Sequence, residues 1–255
     1  MGSKTTLTAE QREIKDRFRE DVGYWEPGFD DLLRIDPEFF DAYREWFAYP
    51  HTEGALEPKV REFVLIAAYS QTTHLGEDGI SRHVGRALDA GATVEEVFEV
   101  LQIASVLGVH SYMIGAKLLD ERLGLFESMD DAAFEAFLDE FEEKRGYRPD
   151  WWGPYVAPDP AFLRVYLEYS SHPWLTGSLD PKTREFLYIA IDSTPAHLLE
   201  EGIDAHMANA IELGATADEL AEVLQLTSLL TFDTMIAGAP ALVEEARKRD
   251  LLPEE

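Results

Sequence analysis

The 255-residue sequence contains no cysteine. That absence removes disulfides, thiol peroxidase and thioredoxin-type chemistry, cysteine nucleophiles and zinc–thiolate sites together. Basic residues are scarce: 22 Lys and Arg stand against 50 Asp and Glu, for a formal net charge of −28. A surface of that sign repels phosphate, so neither nucleic acid nor anionic membrane is an expected partner. The opening stretch lacks the apolar core of a signal peptide. The least polar segment, 100–116, is short for a membrane span and carries Gly108, so it reads as a buried core helix. What remains is the expectation of a soluble, cytoplasmic protein, whose 45% hydrophobic content is ample for a globular core.

What the sequence does have is a copy of itself. At an offset of 123 residues, EPKVREFVLIAAYS (57–70) aligns with DPKTREFLYIAIDS (180–193). HLGEDGISRHVGRALDAGAT (74–93) aligns with HLLEEGIDAHMANAIELGAT (197–216), and EVLQIASVL (99–107) with EVLQLTSLL (222–230). The match runs from 36–116 onto 159–239 without a gap, which marks a tandem duplication with repeats at 1–123 and 124–255. Two copies of one supersecondary unit are expected to pack about a pseudo-twofold axis.

The punctuation within each copy is helical. Thr8 with Gln11, Thr93 with Glu96 and Thr216 with Glu219 have capping-box spacing. Ser128 is the expected start of the second copy's first helix, and Gly23 and Gly146 are the corresponding stops. Asp36-Pro37 and Asp159-Pro160 pair an N-cap with a proline at the first helical position, and Glu57-Pro58 and Asp180-Pro181 open the next helix. A further helix is expected from about His74 to Ala90. No segment alternates with period two for long enough to be a strand. The expected fold is all-α, with six helices per repeat.

Three ordered elements occur twice: the Pro-Lys-x-Arg-Glu-Phe helix start, a helix with histidine ending in Gly-Ala-Thr, and the Glu-Val-Leu-Gln run. Their order resembles the carboxymuconolactone decarboxylase family, whose other branch is the AhpD-like alkylhydroperoxidases. The resemblance implies functional roles for a glutamate in the Arg-Glu helix, matched by Glu62 and Glu185, and for a histidine, matched by His83 and His206. The peroxidase branch places a Cys-x-x-Cys pair before that histidine. Here those positions hold Gly76 and Gly79 in one copy, and Leu199 and Gly202 in the other. Peroxidase chemistry is thereby excluded.

The remaining residues suit proton transfer. A histidine titrates near neutrality and a neighbouring carboxylate orients it. The first expectation is a lyase acting without a cofactor on a small carbonyl- or lactone-bearing acid, with Glu62/His83 or Glu185/His206 as the acid–base pair. Arg61, Arg82, Arg86 and Arg184 are candidate anion clamps, and His110 is a candidate substrate contact. The alternative is a metal enzyme. His74, Glu77 and His83, repeated as His197, Glu200 and His206, offer two imidazoles and a carboxylate suited to Zn or non-haem Fe. On one unbroken helix His74 and His83 lie about 180° apart, so sharing an ion requires a break near Gly79 or Gly202, or a ligand from the other copy. A third expectation is a non-catalytic binding or assembly protein of the same fold. The copies also differ: Tyr69 stands opposite Asp192, His110 opposite Asp233 and Val109 opposite Phe232. The family's assemblies and the apolar stretches VLQIASVLGVHSYMIGA and VLQLTSLLTFDTMIAGA imply a homo-oligomer, a trimer by preference.

Overall fold

Thr8, Asp36, Thr93 and Asp180 each cap the helix that the sequence places after them. A computed structural model describes residues 7–26, 28–124, 131–149, 152 and 160–251; Ser128 and Asp159 lie outside them. The helices are α1 (Ala9–Val22), α2 (Phe29–Ile35), α3 (Pro37–Thr52), α4 (Pro58–Tyr69), α5 (Glu77–Asp89), α6 (Val94–Ala104), α7 (Val109–Leu123), α8 (Asp131–Arg145), α9 (Pro160–Thr176), α10 (Pro181–Ser193), α11 (Glu200–Glu212), α12 (Ala217–Ser228) and α13 (Asp233–Arg247). Among the described residues there is no strand, and the fold is all-α. The capping boxes at Thr8, Thr93 and Thr216 are all formed. Gly23 and Gly146 take the left-handed conformation at the ends of α1 and α8, with φ of 88° and 79°.

Two expectations change. The short helix α2 has no counterpart in a six-helix count. It exists because Phe29 and Leu33 are buried, Phe29 against the rings of Phe18 and Phe40. The helix expected from His74 begins three residues later, at Glu77. His74 and His197 instead sit in tight turns, followed by Leu75 and Leu198 at φ of 46° and 48°. Left-handed leucines are costly, and such strain persists only where the surroundings enforce it.

The chain forms two compact units, Met1–Ala55 with Ser228–Glu255 and Leu56–Thr227, which cut across the repeats at 1–123 and 124–255. The reason is an exchange of terminal helices. In the first unit, α13 of the second repeat packs on α2 of the first, Phe29 meeting Phe232 and Asp31 facing Arg247. In the second unit, Val109 and Met113 of α7 join Phe134, Phe137 and Phe141 of α8 and Leu163 and Leu167 of α9 in one core. The last helix of each repeat therefore completes a core of the other repeat.

The second unit is built on α4 packed against α10, each flanked by its own following helix, α5 or α11. Near the pseudo-twofold axis the equivalent residues Gln71 and Thr194 bond to each other at 2.9 Å. The apolar windows within Val94–Leu123 and Ala217–Arg247 are long enough to cross a membrane by composition, yet 50% and 39% of them are buried inside the fold. Each is divided by a 3-10 turn, at Ser105–Gly108 and Leu229–Phe232.

Candidate active site

The Arg-Glu step at the start of α4 and α10 sends two side chains in different directions. Arg61 and Arg184 turn towards the opposite repeat. Arg184 Nε donates to Glu99 Oε1 at 2.7 Å, and Arg61 Nε donates to Glu222 Oε1 at 2.6 Å. Glu99 also accepts from the backbone N–H groups of Ser178 and Leu179, and Glu222 from that of Leu56. A side chain at Gly177 would collide with Glu99. These are reciprocal locks between repeats, and both arginine charges are matched within them.

Glu62 and Glu185 turn inward. Glu62 Oε2 lies 2.7 Å from His83 Nδ1, and Glu185 Oε2 lies 2.7 Å from His206 Nδ1. All four are buried. The spacing of 21 residues thus brings each glutamate on α4 or α10 to the histidine on α5 or α11, as the sequence suggested.

The surroundings of the two pairs differ. In the first, Arg86 Nε donates to Glu62 Oε1 at 2.8 Å, and the Tyr69 ring lies over His83 with centroids 5.3 Å apart. Tyr69 occupies the space beside Gly76 and Gly79, where any side chain would strike its ring. Burial alone would raise the Glu62 pKa; the hydrogen bond and charge of His83, then Arg86, outweigh it and hold the carboxyl below its usual value. Burial lowers the His83 pKa, and the opposing pull of Glu62 does not cancel it, with Arg82 and Arg86 adding to the depression. The first pair is a packed, neutral imidazole against an ionised carboxylate.

In the second, the partner of Glu185 is the uncharged Asn209, at 3.3 Å, in place of Arg86. Tyr188 stacks on His206 at 4.5 Å and Tyr147 meets it edge-on at 5.6 Å. His206 lines a narrow cavity shared with His110, Arg145, Tyr147, Tyr166 and Asp192. On the other side, Glu185, Asn209 and Arg184 line an open cleft, and Arg145 and Tyr147 border both spaces. Burial pushes the Tyr147 and Tyr188 phenols up, and Tyr166 up to about 12, so all three are neutral hydroxyls.

Arg145 was not singled out from the sequence. It is 2% exposed and surrounded by the rings of Phe141, Tyr147, Trp174 and Tyr188, with its guanidinium carbon 5.1–5.8 Å from each centroid. Its Nη1 donates to the Ser170 carbonyl at 3.2 Å, its Nε has no hydrogen-bond partner, and it makes no ion pair among the described residues. The Glu185 carboxylate acts on it only through space; a buried cation without a directly bonded carboxylate is costly unless an anion joins it. The signal available in the sequence was positional: the first repeat has Val22 at the equivalent place.

The remaining candidates fall as follows. His110 reaches the second pair's cavity from α7, and burial pushes its pKa down to about 4 despite the pull of Asp192, with His197 and His206 adding to the depression. The metal set drawn from the sequence does not assemble. Glu77 and Glu200 are exposed at the starts of α5 and α11, and His83 and His206 are committed to their glutamates. His74 lies beside Tyr69, at 5.3 Å between ring centroids. His197 groups with His110 and Asp192. Arg82 is half-buried on α5 beside His83.

The model of the carboxymuconolactone decarboxylase family matches residues 37–110 and again 160–244, and the chain belongs to that family. The chain is also similar to the crystal structure of a candidate gamma-carboxymuconolactone decarboxylase subunit from Burkholderia xenovorans LB400. The two share 37% sequence identity at a TM-score of 0.84, covering 94% of this chain and 98% of that one. No curated protein matches the chain.

Proposed function

We propose that the protein is a carboxymuconolactone decarboxylase-like lyase whose working centre is the Glu185–His206 pair. Its substrate is a small carbonyl- or lactone-bearing acid. The observation that carries this reading is the juxtaposition, around one cavity, of a carboxylate-oriented histidine and a buried arginine that makes no direct ion pair among the described residues. Arg145 binds a substrate carboxylate through its fork of donors, and the aromatic rings around it exclude water and strengthen that contact. The electron pair released when carbon dioxide leaves moves into the substrate's conjugated carbonyl, and His206 delivers the proton that quenches the resulting carbanion or enolate. Glu185, bonded to Nδ1, leaves Nε2 as the working nitrogen and stabilises the imidazolium before transfer. No cofactor is required for these steps. The first pair, covered by Tyr69, serves the fold.

In the same reading the enzyme is soluble and cytoplasmic, binds neither nucleic acid nor membrane, and assembles with copies of itself as a trimer. Exposed Ile114, Leu118, Leu119 and Leu123 on α7 support the assembly.

The test is carbon dioxide release from gamma-carboxymuconolactone and a panel of small β-keto and lactone acids. Turnover of at least one acid, lost by 10²- to 10⁴-fold in His206→Gln, is expected. Arg145→Lys keeps the charge but loses the planar fork, and raises KM more than it lowers kcat. Undiminished turnover in His206→Gln overturns the assignment.

A further inference from the structure

Beside the acid–base pair lies a second group of side chains that the proposed reaction does not use. His110 comes from α7 of the first repeat, Asp192 from the end of α10, and His197 from the turn before α11. His110 Nδ1 and His197 Nε2 are 2.9 Å apart, and each lies 3.6 Å from Asp192 Oδ1. The rings are nearly parallel, at 12°. A neutral imidazole pair accounts for the short contact, with one N–H donating to the other ring's lone pair. It does not account for Asp192. That residue is 1% exposed, and its Oδ1 has no hydrogen-bond partner.

We propose that His110, Asp192 and His197 form a binding site for one divalent transition-metal ion of the zinc or iron(II) class. The point equidistant from the three ligand atoms lies about 2.0 Å from each, the bonding distance of zinc to imidazole and carboxylate. Two imidazoles and one carboxylate are also the donor set of non-haem iron(II) sites. An ion at that point satisfies the orphaned oxygen and neutralises a buried charge. Three protein ligands leave coordination open, and His110 and Asp192 both line the cavity that contains His206 and Arg145.

Local structure supports the ligands' positions. The Asp192 carboxylate rests against Gly202, where any side chain would collide with it, and its backbone carbonyl accepts from the Leu199 N–H at 3.0 Å. His197 is presented by the strained turn at Leu198. At the offset of 123 residues the equivalents of His110, Asp192 and His197 are Asp233 of the second repeat and Tyr69 and His74 of the first, a set with a single imidazole, so one site per chain follows. The site is independent of the lyase reading, because metal binding is measured without substrate.

The test is titration of chelator-stripped protein with Co(II), followed by visible absorption. An acidic surface collects cobalt through oxygen ligands in six-coordinate, weakly absorbing form. Imidazole-bound cobalt of lower coordination absorbs far more strongly, so the two are distinguishable. The expected result is an intense band that saturates at one equivalent per chain and is displaced by Zn(II). Asp192→Asn and His110→Gln should each weaken binding more than the 10–100-fold typical of an outer-sphere change, while His74→Gln leaves it intact. If Asp192→Asn fails to fold by circular dichroism, His197→Gln, in a half-buried turn, decides the matter. Absence of an intense band in the wild-type protein, or one that survives loss of these ligands, overturns the proposal.

Discussion

The two glutamate–histidine pairs are the same at 2.7 Å and different in everything around them. Around His83, Tyr69 fills the space and Arg86 neutralises the carboxylate, leaving a closed pair. Around His206, Asp192 replaces the tyrosine, Asn209 replaces the arginine, and a cavity opens beside a buried arginine. Duplication copied the hydrogen bond; substitution at neighbouring positions changed what faces each pair. A residue's bonding partner therefore says less about function than the groups that face the pair from other helices.

The sharpest way to break the comparison is to mutate both pairs alike. His206→Gln is expected to remove 10²- to 10⁴-fold of turnover, while His83→Gln leaves kcat within about threefold and lowers stability by about 1–3 kcal/mol for the buried Glu62 Oε2 that loses its imidazole partner. Equal losses of activity would mean that the copies share the chemistry. Next in size is the lock between repeats. Glu99→Ala leaves Arg184 buried without a partner and should destabilise the fold by about 3–5 kcal/mol in urea melts. The exposed pair of Lys248 with Glu244 is the control, and its loss should leave the urea midpoint essentially where it was.

Opening the closed site sharpens the contrast further. Tyr69→Ala should cost about 3–5 kcal/mol, as for other large buried rings, and create space over His83 without creating lyase activity, because the first repeat has a valine, Val22, at the sequence position equivalent to Arg145. A gain of activity there would show that cavity alone separates the copies. The smallest effect is on pH. His83 has its pKa lowered by burial in the folded state, so the unfolded chain takes up the proton first and stability falls as pH drops below 6.5. The lowered Glu62 acts in the same direction below 4.5, its contribution being lost as pH falls through its folded value. Urea midpoints between pH 7 and 5 at fixed high salt should decline in the wild-type protein, by at most about 1.4 kcal/mol per pH unit from this histidine, and less steeply in His83→Gln. A slope unchanged by that substitution would place the titration elsewhere.

Much of this was legible in the residues. Capping boxes, prolines at first helical positions and glycine stops depend on atoms within four residues of one another, so the sequence determined the helices, the repeat and the spacing that lets each glutamate meet its histidine. The short α2 escaped because its burial comes from rings on other helices. Tertiary structure alone decided three things. It committed Arg61 and Arg184 to glutamates of the opposite repeat, where the sequence suggested ligand clamps. It placed Arg145 among aromatic rings contributed by α8, α9, α10 and the segment after α8. And it exchanged the terminal helices, so that His110 of the first repeat meets Asp192 and His197 of the second, 82 and 87 positions along the chain. Periodicity and caps report local backbone physics, whereas a buried charge or an orphaned carboxylate oxygen is defined by what packing brings against it.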